Sequence, residues 1–465
     1  MKGIYLLAAL LVAGKLWAQQ EGSTADTLSI NRDTLSLAGA LKGGEIHGHA
    51  RYFFMSTQNR KELSDYYAHA AGGGLKYESA PFRGFRVGIS GFFIYNMGSS
   101  DFSKADPSSG QYNRYEIGLF DLENPHNKTD INRLEELYLT YHHKRGRITF
   151  GKQLINTPFI NPQDSRMRPT GIEGLYGDAR INEKLKLEGG WIYKVSPRST
   201  VRWYSVAHSI GINSQGVNRD GSRGNYAGHV ASKGIGLLGI TLNPSKAIQV
   251  KGWELVTENV FHTTFLQADV NQAAGNRNWF GAVQYIHQGV LNEGGNQEPS
   301  KRYFDKQNKV NIVGGRVGRK EGTWETSLNY TRIFKGGRFT MPREWGTEPL
   351  FTTLSRERNE GAGNVNAFAI NAKSRLLHDR LKLEGGYGHY YLPAYTDAAL
   401  NKYGLPSYRH VKLLSDYRFG GPLEGMDLAL IFVYKGRMGS RCSEAKYRIN
   451  KVDMLSYNLV VNYNF

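Results

Sequence analysis

Between Gly151 and Pro169 the chain reads Gly-Lys-Gln-Leu-Ile-Asn-Thr-Pro-Phe-Ile-Asn-Pro-Gln-Asp-Ser-Arg-Met-Arg-Pro. Asn156, Thr157, Asn161, Gln163, Asp164, Ser165, Arg166 and Arg168 put donors, acceptors and both charge signs on one short segment. Pro158, Pro162 and Pro169 each fix a backbone angle and stiffen its path. Such a set recognises rather than reacts. Charged side chains arrayed at a narrowing select ions and small charged solutes. Arg166 and Arg168 can grip a carboxylate through two parallel hydrogen bonds, which Lys cannot. Asp164, with Ser165 beside it, can join that contact or pair with an arginine and brace the segment. More cations stand out of phase with apolar neighbours: Arg51 beside Tyr52 and Phe54, Arg86 among Phe85, Val87 and Ile89, and Lys186, Lys382, Lys412 and Arg418 in similar settings.

Bond-making chemistry has no comparable signal. Gly234-Ile-Gly-Leu-Leu-Gly239 has the spacing of a dinucleotide-binding turn, but Ile240-Thr-Leu-Asn-Pro244 follows as strand end and turn, not the helix that fingerprint needs. His142 and His143 are adjacent, and adjacent strand residues face opposite sides. His262, His287 and His389 lack ligand spacing. Cys442 is the single cysteine, which excludes a disulfide framework and a Cys-based zinc site. The chain is therefore not expected to be an enzyme, and no catalytic residue, metal site or cofactor is assigned.

The elements that must position the cations are strands. Leu455, Tyr457, Leu459, Val461, Tyr463 and Phe465 alternate with Ser456, Asn458, Asn462 and Asn464. Alternate strand residues lie on opposite faces, so one face suits lipid and the other water, as in a transmembrane barrel strand. Tyr463 and the terminal Phe465 also fit an assembly signal read by barrel-assembly machinery. At the other end, residues 1–18 read as a signal peptide. Lys2 is its basic start, Ile4 to Ala13 its apolar core and Leu16-Trp17-Ala18 its cleavage site. Residues 19–46 form a short periplasmic segment. Beyond Gln19 no apolar run reaches the roughly 18 residues of a membrane helix. Only helices and closed barrels satisfy every backbone group in lipid, so residues 47–465 are expected to form a closed, all-β, antiparallel up-and-down barrel.

Eighteen strands are expected: 47–57, 66–78, 84–95, 133–143, 147–153, 172–179, 185–195, 230–242 and 247–256 in one half of the chain. The others are 260–270, 278–289, 309–318, 323–333, 366–375, 381–391, 410–419, 426–435 and 454–464. Short connections such as 144–146 and 376–380 alternate with long ones such as 96–132, 196–229 and 334–365. Short periplasmic turns and long outer loops give that segregation; a soluble sandwich has no reason for it. A charge on the lipid side costs roughly 2–4 kcal/mol at midplane, so the six strand cations are expected to line the lumen. The segment about 154–171 falls at the third long connection and is expected to fold inward as the constriction.

The 28 Tyr and 55 Gly suit aromatic girdles and curved strands. A formal net charge of +18 is spread through strands and loops rather than blocked. In an exported barrel it points to anions or an acidic membrane surface, not to nucleic acid.

Four stretches resemble the OprD-type outer-membrane porin family, in its Bacteroidetes-like form. They are Gly48-His-Ala-Arg-Tyr-Phe-Phe-Met-Ser-Thr57, Asp65-Tyr-Tyr-Ala68 with Gly72-Gly73-Gly74, Leu134-Glu-Glu-Leu-Tyr-Leu-Thr-Tyr141, and the Gly151–Pro169 segment, which is the most specific. The resemblance implies an eighteen-stranded channel of the bacterial outer membrane, often weakly trimeric, with outer-membrane lipid around it. It implies a narrow basic pore for small solutes such as amino acids, peptides or organic acids. A barrel that binds or adheres through its outer loops is the alternative.

Overall fold

The computed structural model describes Thr34 and residues 36–163, 166–356, 358–439 and 442–465. The expected signal peptide, most of the 19–46 segment, Asp164 and Ser165 lie outside the described residues. A short helix, α1 (Leu37–Lys42), precedes the strands. The strands are β1 Glu45–Gln58, β2 Tyr66–Glu78, β3 Phe85–Ser99, β4 Ile131–His143, β5 Gly146–Gln153, β6 Gly171–Arg180 and β7 Leu185–Ser196. After the two-residue β8 Tyr204–Ser205 and helix α2 Val206–Ser209 come β9 Ile235–Ser245, β10 Ile248–Thr257, β11 Phe261–Ala274 and β12 Arg277–Val290. Then follow β13 Val310–Glu321, β14 Trp324–Ile333, β15 Val365–Leu376, β16 Leu381–Tyr391, β17 Tyr408–Arg418, β18 Met426–Arg437 and β19 Met454–Asn464. Each of the eighteen expected strands has its counterpart.

Every barrel strand pairs antiparallel with its neighbours in sequence, and β7 pairs directly with β9 past the β8 ribbon. The ring closes where β1 meets β19, from His49 opposite Asn464 to Gln58 opposite Leu455. The result is a closed eighteen-stranded barrel. Closure leaves no unpaired edge, the condition for crossing lipid on strands.

Alternation sets the two surfaces. Ser456 and Asn458 are buried inside, with Phe53 and Met55 of β1 across the seam. Phe85, Val87, Ile89, Leu137, Leu139, Phe150, Leu328, Ile370 and Leu413 remain exposed on the outward face. An aromatic pair Phe85–Tyr141 (4.7 Å between centroids) marks one rim of that face and Tyr330–Phe368 (4.8 Å) the other.

Connections at one end span a few residues, such as 144–145, 275–276 and 322–323, and α1 packs there through Ala80 N–H to the Ala40 carbonyl (3.0 Å). The other end carries 100–130, 154–170, 197–234, 291–309, 334–364, 392–407 and 438–453. The exceptions at that end are 59–65 and the tight 258–260 turn. The short-turn end is the periplasmic one by the rule these barrels follow.

Phe465 locks the seam. Its N–H donates to the Gly48 carbonyl (2.9 Å), and the Gly48 N–H donates back to the Phe465 carbonyl (2.6 Å). Its ring fills the space over Gly48. Deleting Phe465 removes two backbone hydrogen bonds, at about 1 kcal/mol each. We expect a lower fraction of heat-modifiable, folded barrel, measured by electrophoretic mobility after a fixed assembly time.

Candidate functional site

The loop 154–170 leaves β5 and crosses the lumen instead of rising from the wall. Thr157 closes its first turn: its Oγ1 accepts the Ile160 N–H (2.9 Å), and the Thr157 N–H donates to the Ile160 carbonyl (2.8 Å). That turn buries Phe159 edge-on to Phe265 of β11 (6.1 Å). The Thr170 N–H returns to the Pro162 carbonyl (2.9 Å). Met167, 1% exposed, then packs with Phe53, Ala70 and Phe92 of β1–β3. Gly72 makes room, since a Cβ there would lie 2.8 Å from the Phe92 ring and 3.0 Å from the Met167 methyl. Two apolar anchors on different parts of the wall thus hold a polar segment between them.

Behind the loop stands a buried charge cluster. The register of β3 on β4 slips between Ser90–Glu136 and Gly91–Leu134, so Glu135 is the extra residue of a bulge. A bulge re-aims a side chain, and Glu135 and Glu136 are both buried. Glu135 takes two hydrogen bonds from Arg133 (2.9 and 2.5 Å) and lies 3.5 Å from Arg168. Arg133 also donates to the carbonyls of Pro169 and Pro197 (2.8 Å each). One carboxylate therefore ties two arginines, and through them the end of the loop, to the wall.

A second loop, 334–364, also descends into the barrel. Its Trp345 is fully buried, donates Nε1–H to Ser209 Oγ (2.9 Å) and stacks near Phe261. It zips onto the first loop: Asn161 N–H to the Trp345 carbonyl (3.2 Å), Thr347 N–H to Asn161 Oδ1 (2.9 Å) and Gln163 Nε2 to the Gly346 carbonyl (3.2 Å). Further along, the Glu348 carboxylate accepts the N–H groups of Asn359 (2.7 Å) and Glu360 (2.9 Å). This pins an arch that carries Arg356 and Arg358. Both face a cavity of about 1710 Å³ that spans the outer half of the lumen. Burial lowers both guanidinium groups to about 10, so they stay cationic at neutral pH. Replacing Glu348 with Ala leaves the two N–H groups it caps unsatisfied, at roughly 1–3 kcal/mol each. The arch should loosen, which single-channel noise measurements would register.

The model of the OprD family of outer membrane porins matches residues 38–298 of the sequence, more than half of it. This chain belongs to the OprD porin family. Solved structures with the same fold include Pseudomonas aeruginosa OpdK with vanillate, at TM-score 0.70 and 15% identity over 92% of this chain and 100% of that one. Pseudomonas aeruginosa OccK9 (OpdG) aligns at TM-score 0.71 and 14% identity, over 92% and 99% of the two chains. Acinetobacter baumannii OccAB4 aligns at 0.69 and 14%, over 91% and 98%. No curated protein is significantly similar to this chain in sequence. The porin lies in the bacterial outer membrane and passes small solutes.

The structure separates the site residues expected from the sequence. Arg166 lines the cavity, and its carbonyl accepts Arg51 Nη1–H (2.6 Å) while Arg51 Nε–H reaches Asn462 (2.6 Å). Arg168, expected beside it, is 1% exposed and sits in the Glu135 cluster, away from the cavity. Of the six strand cations only Lys412 lines the cavity, paired with Glu384 at 2.6 Å. Arg86, Lys186, Lys382 and Arg418 point inward near the short turns. Three of them lie beside Glu78 (3.8 Å), Glu188 (3.1 Å) and Glu384 (2.8 Å), and Arg418 is opposite Asp427 in register. They form a mixed-charge periplasmic mouth. The 334–364 loop with Arg343, Arg356 and Arg358 was not singled out by the sequence reading. Its signal was its length and its four Arg and four Glu around a lone Trp in an outer connection.

Proposed function

We propose that this porin is a passive, partly selective channel favouring carboxylate-bearing solutes. One observation carries the reading. Among the residues lining the cavity, twelve are Lys or Arg and three are Glu. A basic, water-filled cleft with low-dielectric walls raises the local concentration of anions. Arg166 on one loop and Arg356 and Arg358 on the other give planar donor sets that suit carboxylates. Asp164 and Ser165 remain part of this proposed constriction. The vanillate of the OpdK structure is an aromatic carboxylate, which is in keeping with this class. No enzymatic step and no energy source enter the mechanism. Tyr463 and Phe465 would serve recognition by the assembly machinery, and a weak trimer is the proposed assembly state.

Reversal potentials across a planar bilayer in a salt gradient test the reading. Wild type is expected to favour anions. A unit charge about 8 Å from the solute path, at an effective dielectric near ~40, contributes roughly 1 kcal/mol, or about fivefold in relative permeability. Replacing Arg356 and Arg358 by Gln should therefore cut anion preference by at least that factor, with Arg166→Gln acting in the same direction. Cation preference in wild type would overturn it. A second reading, a closed barrel that binds through its outer loops, draws on their tight interlock. Buried Lys402 bonds Tyr226 (2.9 Å) and lies 3.8 Å from Glu360, tying three outer loops together. Absence of conductance from folded protein would favour that reading.

A further inference from the structure

Cations on the outward face of this barrel mostly come with a carboxylate. Lys152 and Lys194 flank Glu173 (2.6 and 3.5 Å), and Arg277 and Arg319 both meet Glu321, the former at 3.0 Å. The outward face of β14–β18 breaks the pattern. Strand alternation puts only two charged residues there, Arg332 and Arg409, and no acidic one. Arg332 is the penultimate residue of β14 and Arg409 the second of β17, so both stand at the outer-loop end. Arg332 bonds neutral acceptors, Asn364 Oδ1 (2.8 Å) and the Val365 carbonyl (3.3 Å). Arg409 is exposed and, among the described residues, no carboxylate lies in ion-pair reach of it.

Between the two arginines, and from their level toward the membrane middle, the same face is hollowed. Leu328, Phe368, Ile370, Tyr387, His389 and Tyr391 line an apolar groove of about 390 Å³. Tyr387 Oη bonds His389 Nε2 (2.7 Å), and Tyr330 Oη bonds Asn366 (2.9 Å), which fixes the aromatic walls. The groove opens sideways into the hydrocarbon layer, where water and polar solutes do not reach. An acyl chain fits such a groove, and a phosphate fits arginines at the interface on either side of its upper end.

We propose that the outer wall of β14–β17 binds a phosphate-bearing acyl lipid of the outer leaflet, with its phosphates on Arg332 and Arg409 and an acyl chain in the groove. Arg332 and Arg409 sit on strands three apart and two residues out of level, roughly 14 Å across the strands and roughly 7 Å along them at the usual spacings. That separation selects a lipid with two phosphates on an extended headgroup over one with a single phosphate. The lipid supplies the countercharge that the protein provides itself elsewhere on this face.

The test is native mass spectrometry of the full-length folded barrel in detergent. The probes are diphosphoryl lipid A, monophosphoryl lipid A and inorganic phosphate. Wild type is expected to retain diphosphoryl lipid A at least tenfold better than the Arg332→Gln/Arg409→Gln double variant, and better than it retains the monophosphoryl form. Arg409→Gln alone leaves the Arg332 hydrogen bonds in place, so it keeps the test valid if the double variant assembles poorly. It should erase most of the preference for the second phosphate. Equal retention by variant and wild type would overturn the proposal. So would equal binding of the two lipids, or displacement of lipid by inorganic phosphate. Ion selectivity of both variants should match wild type, because the two side chains face away from the lumen. A shift in selectivity would mean they act on the pore and would overturn the assignment, whatever the solute preference proves to be.

Discussion

Glu135→Ala destabilises the porin by about 3–5 kcal/mol, the cost of leaving a buried charge without its partner. Two cations lose their carboxylate at once. Arg133 and Arg168 have side chains 1% and 0% exposed, so water cannot replace it. Arg133 keeps its carbonyl acceptors at Pro169 and Pro197, which holds part of the loop end, but among the described residues Arg168 is left without an ion pair. The expected result is a lower temperature of heat modification together with a noisier, larger single-channel conductance as the 154–170 loop gains freedom. Glu135→Gln, which retains acceptor oxygen without charge, should fall between. An unchanged melting temperature and an unchanged conductance would mean that the cluster does not hold the loop.

Trp345→Ala is the second large effect. Trp345 is 0% exposed and lies where both inward loops meet α2. Removing a buried Trp side chain typically costs about 3–5 kcal/mol, the lost burial together with the cavity left behind. Ser209 Oγ also loses its donor. The two loops share the backbone contacts around Asn161 and Gln163, so one should not loosen without the other. Conductance should rise and selectivity fall together, whereas Arg356→Gln changes selectivity with little change in stability. Measuring both quantities on both variants separates the support of the constriction from its charge. Trp345→Phe, which keeps the stacking on Phe261 but not the N–H, should recover most of the loss.

The strand pattern was legible because it is local. Period-two alternation in segments such as Met426–Lys435 and Leu455–Phe465 is fixed by lipid on one side and water on the other, and neither depends on distant residues. Loop lengths were legible for the same reason, since a tight turn and a long excursion differ in sequence without reference to the rest of the fold. The inward direction of Arg51, Arg86 and Lys412 followed from the cost of charge in lipid. Their partners did not. Lys382 and Lys412 are thirty residues apart in sequence and meet on one carboxylate, Glu384, because Lys382 and Glu384 share the inward face of β16 and the pairing with β17 brings Lys412 alongside. Composition shows a basic chain, but only the ring shows which cations are already neutralised.

The sequence by itself determined that this is a closed membrane barrel of eighteen strands and which family it belongs to, and it marked the Gly151–Pro169 loop as its most specific stretch. Tertiary structure alone decided which side of that loop faces the cavity. Arg166 and Arg168 are two residues apart in an irregular segment, where no period fixes direction. A bulge at Glu135, set by the register of β3 on β4, draws Arg168 back into the wall and leaves Arg166 at the cavity. The descent of the 334–364 loop was likewise decided in three dimensions. Its Trp345 finds burial only in the space between α2 and Asn161, elements far away along the chain. Register and long-range burial are properties of the closed ring, and no local stretch of the chain carries them.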